Sequence, residues 1–199
     1  TLMTRTNRKM HSWAEQLRAD GYLYSKKGKS SINRDMAEVI VSWRQLQRGN
    51  ALTYSQVTHL YDNVPKMGDN AVVKRGSRKL LDAASPEVML TYETLVGEYG
   101  LIAPLGREAY DVARMGEDTK NYVRAIERRG EDILAEPRIK VSTFHGMKGG
   151  EDDNCAVSLE STWACVNTDY PDDEHRAMYV GVTRARNKLC LIDTDSKYR

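Results

Sequence analysis

Residues 139–159 read IKVSTFHGMKGGEDDNCAVSL, and this stretch decides the fold class. Ile139, Val141 and Thr143 alternate with Lys140 and Ser142, the period-two pattern of a half-buried strand. A polar, glycine-containing loop follows from His145 to Asn154. Cys155 to Leu159 is a second apolar strand. Further on, Asp172 to Ala185 has the texture of a helix, and Lys188 to Ile192 of a closing strand. Strand, helix and strand in alternation predict an α/β domain with a parallel sheet and flanking helices.

Working outward, the start of the chain has the same character. Thr1-Leu2-Met3 reads as strand, as expected of a boundary inside a longer protein. Met10, Trp13, Ala14 and Leu17 recur at helical spacing and predict an amphipathic helix after Asn7. Gly21 ends it, and Tyr22-Leu23-Tyr24 is a short strand. Ser25 to Ser30 is a polar, basic loop. Asp35 is the expected cap of a second helix with the stripe Met36, Val39, Ile40, Trp43 and Leu46, stopped at Gly49-Asn50.

Between Leu52 and Glu136 the segments shorten, and glycine and proline break them repeatedly. Residues 77–84, 86–99 and 117–129 are the expected helices there. The predicted organisation is therefore a sheet domain in two parts, 1–50 and 137–199, interrupted by a mostly helical insertion at 51–136.

Composition excludes little. The 199 residues are 40% hydrophobic and 29% charged with a formal charge of +2, so any nucleic-acid surface must be local rather than global. There is no apolar run of membrane-spanning length. Cys155, Cys165 and Cys190 have neither CxxC nor Cys/His metal spacing, which suits reduced thiols in a cytoplasmic setting. His59 and His175 lack metal-spaced partners. Trp13 and Trp43 lie on apolar stripes and are expected in the core, whereas Trp163 falls in a loop.

Two segments can carry chemistry. Tyr179-Val180-Gly181-Val182-Thr183-Arg184-Ala185-Arg186 ends a helix with two cations. Cations there complement the helix dipole, which is the bland reading. The sharper reading turns Arg184 toward a phosphate, where a permanently charged guanidinium stabilises charge in phosphoryl transfer. The loop after Thr143 combines glycines with His145, Lys148 and Glu151. In open α/β sheets ligands gather beyond the carboxyl ends of strands, and a carboxylate accepts hydrogen bonds from ribose hydroxyls. A solvated turn is the alternative.

Together these segments resemble motifs V and VI of UvrD/Rep-like superfamily 1 helicases. Motif V of that family, T-x-H-x-x-K-G-x-E, stands here as Thr143-Phe144-His145-Gly146-Met147-Lys148-Gly149-Gly150-Glu151. Motif VI, E-x-R-x-x-Y-V-x-x-T-R-A, stands as Glu174-His175-Arg176-Ala177-Met178-Tyr179-Val180-Gly181-Val182-Thr183-Arg184-Ala185. Arg5-Thr6-Asn7, its helix and Gly21-Tyr22-Leu23-Tyr24 are similar to the family's motif IVa unit. The three matches fall in family order and cover the sheet domain, about half the chain. Two positions depart from motif V: Gly150 stands where leucine is common, and Asp152 where phenylalanine is common. Both changes loosen the expected apolar packing of the loop.

The resemblance implies a C-terminal, RecA-like motor domain with a short 2B-like insertion. It implies that Arg184 reaches the γ-phosphate of ATP, that Glu151 meets the ribose, and that Gly149 lies near the phosphates. Asn7, Thr143 and His145 are implied to face single-stranded DNA, with 3′-to-5′ movement. ATP and Mg²⁺ would be shared with an N-terminal RecA-like domain holding the Walker A lysine and the Mg²⁺ ligands. The resemblance implies a setting of DNA repair or replication in a bacterial or virus-infected cell. Gly28-Lys29-Ser30 ends like a P-loop, but the required earlier glycine is Leu23. The chain alone is thus expected to lack ATPase activity and to bind DNA weakly and salt-sensitively. Lys26, Lys27 and Lys29 are open to two readings, a phosphate contact or a solvated loop. A non-enzymatic DNA- or protein-binding module and the motor part of a helicase-nuclease are the other function classes.

Overall fold

The computed structural model describes residues 1–82 and 84–193. By internal contacts the chain divides into two compact units. One comprises Thr1–Ser31, Ala125–Glu131 and Ala135–Arg199; the other comprises Ile32–Arg124 and Asp132–Leu134. This division differs from the expected segments. The helix after Asn33 falls in the second unit rather than in a first segment ending at residue 50, and the tail of the 117–129 helix falls in the first.

The first unit begins with β1 (Leu2–Thr4), α1 (Asn7–Ala19), β2 (Tyr24–Lys26) and β3 (Lys29–Ser30). The side chain of Thr6 caps α1 by accepting from the Lys9 amide. The segment read as a loop at Ser25–Ser30 is instead a hairpin: β2 and β3 pair antiparallel, Ser25 opposite Ser30 and Lys26 opposite Lys29. Lys27 and Gly28 close it with φ of 52° and 76°. Two left-handed residues form the turn whose twist matches the strands.

The second unit contains α2 (Arg34–Gln47), β4 (Leu52–Thr53), α3 (Tyr54–Asn63), α4 (Ser77–Leu81), β5 (Met89–Leu90), α5 (Tyr92–Gly97), α6 (Ala109–Val112) and most of α7 (Glu117–Arg128). Asn33, not Asp35, caps α2; its Oδ1 accepts from the Asp35 and Met36 amides. Asp35 lies in the first turn, where its charge favours the dipole. The helix expected at 77–84 ends at Leu81, and residue 83 lies outside the described residues. The helix expected at 86–99 is broken, because Met89–Leu90 pairs with β4 and Thr91 starts a new cap. Trp43 is fully buried and its indole N–H donates to the Arg107 carbonyl at 2.8 Å. Arg44 and Arg124 each lie 5.1 Å from the Tyr110 ring.

The chain returns to the first unit with β6 (Ile139–Thr143), β7 (Asp152–Ser158), α8 (Trp163–Val166), α9 (Pro171–Val182) and β8 (Ala185–Ile192). Residues 194–199, the end of the expected second part of the sheet domain, lie outside the described residues. Six strands form one sheet in the order β3-β2-β6-β1-β7-β8, parallel throughout except for the edge strand β3. The protein is thus α/β, a mostly parallel sheet flanked by helices. Met3, Phe144, Cys155, Val157 and Ala177 form a buried cluster, with Met178 and Val182 packed on it. Trp13, expected in the core, is only half-buried, and Trp163 begins a short helix instead of lying in a loop. No described helix is long and apolar enough to cross a membrane.

Candidate functional site

The parallel register sorts the six candidate residues onto two edges of the sheet. Thr4 pairs with Thr143, and the Phe144 amide donates to the Thr4 carbonyl at 3.0 Å. Both strands therefore end together. Asn7 follows three residues beyond Thr4, and His145 two beyond Thr143. Asn7, Thr143 and His145 thus lie at the carboxyl edge; Asn7 and His145 are exposed and Thr143 half-buried. The Thr143 hydroxyl accepts from the Gly146 amide at 3.2 Å and turns the chain into a single 3-10 turn, His145–Met147.

The chain then crosses to the amino edge. Asp152 opens β7 and pairs with Ala185, the first residue of β8. Gly149, Glu151 and Arg184 flank this pair. The rule that ligands gather at carboxyl ends therefore covers only the first three residues. The other three lie toward the opposite edge, where β7 begins; Gly149 and Glu151 belong to the short turned loop that runs there from His145. The causes are two crossovers: the loop 144–151 runs from the carboxyl end of β6 to the amino end of β7, and α9 returns the chain to the amino end of β8.

At the amino edge the two motif-like segments touch. Arg184 Nη1 donates to the Gly150 carbonyl at 3.1 Å, and the Asp152 amide donates to the Arg184 carbonyl at 3.0 Å. Arg184 Nε donates to the Val180 carbonyl at 2.9 Å and Nη2 to the Thr183 hydroxyl at 3.0 Å. The half-buried guanidinium is thereby oriented, with N–H groups left over from its five. Glu151 is exposed, with no ion-pair partner among the described residues. Gly149 is exposed at φ +81°, and nothing stands within 4 Å of where a Cβ would be. A ligand can approach that backbone closely. The two departures from motif V do not leave the loop unattached. Gly150 is held through its carbonyl. Asp152 is bound by the Thr1 hydroxyl and by Lys140 at 3.3 Å. The Thr1 hydrogen bond, with help from Lys140, brings the Asp152 carboxyl down to about 2.

Sequence reasoning missed two participants. Arg5 grips Glu174 with both arms, Nε to Oε2 at 2.7 Å and Nη2 to Oε1 at 2.5 Å. This fork ties the end of β1 to the first turn of α9 and holds the Glu174 carboxyl below its ordinary range. A cleft of about 270 Å³ opens beside it, lined by Phe144, Cys165, His175 and Met178 among others. Both residues stand inside the quoted motifs, but their pairing over 169 positions leaves no local signal. The second is Gly181. A Cβ there would lie 2.8 Å from Phe144 Cδ1, so α9 packs against that ring only through a glycine. The P-loop-like triplet Gly28-Lys29-Ser30 belongs to the hairpin and opens no helix, so it lacks the architecture of a phosphate cradle.

No protein-family model matches this chain, and no curated protein matches it in sequence. The likeness to superfamily 1 helicases therefore stands on the residues quoted.

Proposed function

We propose that the sheet unit is the second, RecA-like motor domain of a superfamily 1 DNA helicase or translocase, and that the helical unit is an insertion in it. One observation carries the reading. The Arg184 guanidinium rests on the Gly150 carbonyl, joining two segments singled out separately and lying 34 residues apart. Such a junction is what an interdomain nucleotide site needs from its far wall: an oriented cation, a free carboxylate and an approachable backbone, side by side.

In this reading ATP supplies the phosphoryl group, held with Mg²⁺ chiefly by a first motor domain. Arg184 presents its remaining N–H groups to the phosphate oxygens and stabilises the charge that spreads over them during transfer. Glu151 accepts from the ribose hydroxyls. Gly149 lets the loop backbone lie against the phosphates. Toward the other edge Asn7, Thr143 and His145 face single-stranded DNA, so hydrolysis and grip sit toward opposite edges of the same sheet.

A second reading has its own observation. The Arg184 side chain makes three hydrogen bonds within the chain, to the Val180 and Gly150 carbonyls and the Thr183 hydroxyl, enough for a residue that only staples a loop to a helix end. Replacing Arg184 by alanine in the intact motor separates the two. The motor reading expects DNA-stimulated turnover to fall about a thousandfold or more, with nucleotide affinity changed far less. A variant that melts earlier but turns over normally at low temperature would leave only the staple.

A further inference from the structure

The hairpin of β2 and β3 has no part in the function proposed above, yet the register places it beside that function's DNA edge. Lys26 ends β2 and pairs with Val141 of the neighbouring strand β6. The turn residue Lys27 therefore comes level with Ser142, about 5 Å away across the sheet, with Gly28 one strand further out. Lys27 and Lys29 are exposed, and neither has an ion-pair partner among the described residues. Lys27 has a φ of 52°, a conformation that favours glycine or asparagine. A lysine held there keeps a charge at the tip against local backbone preference.

The basic tip joins the DNA edge through α1. Asn7 and His11 are four residues apart on that helix and share one face. His11 Nδ1 lies 3.3 Å from Lys26 Nζ. Asn7, His11, Lys26, Lys27 and Lys29 thus lie along one side of this edge, with Glu15 one helical turn beyond His11. At the far end of the same edge the first turn of α9 carries Asp172, Asp173 and Glu174, the last two already paired with Arg176 and Arg5. Among the described residues, the hairpin side is the one that offers cations free of such pairing.

We propose that Asn7, His11 and the Lys26–Lys29 hairpin form one phosphate track, which guides single-stranded DNA from Thr143 and His145 toward the β3 edge of the sheet. This rests on the carboxyl edge being the DNA-binding edge. The track binds backbone charge and reads no base, so its signature is the salt dependence of binding. For single strands, log K falls with log salt by about 0.7 for each phosphate neutralised.

The test uses the whole chain and a fluorescein-labelled oligo(dT) of twenty nucleotides, with anisotropy recorded from 50 to 200 mM salt. Lys27→Asn with Lys29→Gln removes two charges while leaving a residue that tolerates the turn. The slope is expected to lose about 1.4, so the wild-type advantage shrinks about sevenfold across that range. Lys27→Arg with Lys29→Arg is expected to keep the wild-type slope. Circular dichroism of each variant verifies the fold. If His145→Ala weakens binding but the lysine double variant keeps the wild-type slope, the track is wrong and the DNA edge stands. If the wild-type chain does not bind the oligonucleotide at 50 mM salt, both are wrong.

Discussion

Replacing Gly181 by valine tests whether the close packing of α9 on Phe144 positions Arg184, three residues further on. A Cβ at 181 would stand 2.8, 3.0 and 3.3 Å from Cδ1, Cε1 and Cγ of the ring. Phe144 is 1% exposed and cannot swing into solvent. Valine adds three carbons where even one does not fit. Overpacking of this kind costs about 3 kcal/mol, offset by only a few tenths from the better helix propensity of valine. Phe144→Leu alone removes part of the ring and costs about 1.5 kcal/mol. Independent sites would make the double variant about 4.5 kcal/mol less stable. If the ring is the obstacle, leucine clears the space, and the double variant loses only about 2.5 kcal/mol, a coupling of roughly 2 kcal/mol. Two compact units need not unfold together. The measurement is therefore native-state hydrogen exchange on β6 and β7 peptides, which reports the sheet unit alone. Additivity of the two single variants within about 0.5 kcal/mol would refute the packing argument.

Acid should unfold the sheet unit through two carboxylates whose folded pKa values are depressed, Glu174 by Arg5 and Asp152, at about 2, by the Thr1 hydroxyl and Lys140. Because folding lowers both values, their stabilisation is full above the ordinary carboxylate range and drains away as pH falls from about 4. Urea midpoints of Asp152→Asn and Arg5→Gln should fall less steeply than wild type between pH 4 and 2; parallel curves would exclude these groups as the cause. The three thiols should react in order of exposure, Cys190 first and Cys155 only on unfolding, since burial both hides the Cys155 sulfur and pushes its pKa up. A Cys155→Ser variant that still withholds one thiol from a disulfide reagent would contradict this placement.

The parallel sheet was legible because its strands carry simple signals: alternation at Ile139–Thr143, an apolar run at Cys155–Ser158, and glycine or proline between elements. Boundaries at the amino edge were not. Asp152, Asp153 and Asn154 read as loop, yet they are strand, because β7 gains a neighbour there in β8. Strand pairing over thirty residues overrides local propensity. The hairpin was hidden for the opposite reason: Lys27 occupies a turn position that sequence rules reserve for asparagine or glycine. The break at Thr91 depended on β4 and β5 finding each other. Of the candidate site, the residue types were readable from motif spacing. Their separation onto two edges was not, since it follows from the crossovers made by the loop 144–151 and by α9.

That separation changes what the sheet has to do under the proposed function. The nucleotide and the DNA strand meet no common residue in this unit. The short loop from His145 to Glu151 joins the two sets directly, β7 spans the edges through the backbone ladder, and α9, twelve residues or about 18 Å long, spans them across one face. At its start α9 is locked to β1 by the Arg5–Glu174 fork, two residues before Asn7. At its end Arg184 is locked to the Gly150 carbonyl. Between these, Gly181 allows the helix to seat on Phe144, which itself separates Thr143 from His145. A movement of the DNA contacts therefore cannot leave α9 where it is without breaking a two-armed ion pair or opening a gap beside a buried ring. Closely packed interfaces of this kind shift between discrete arrangements rather than deforming smoothly. Under the proposed function, rigid seating of α9 is thus one physical means by which grip at one edge would be felt by the arginine at the other.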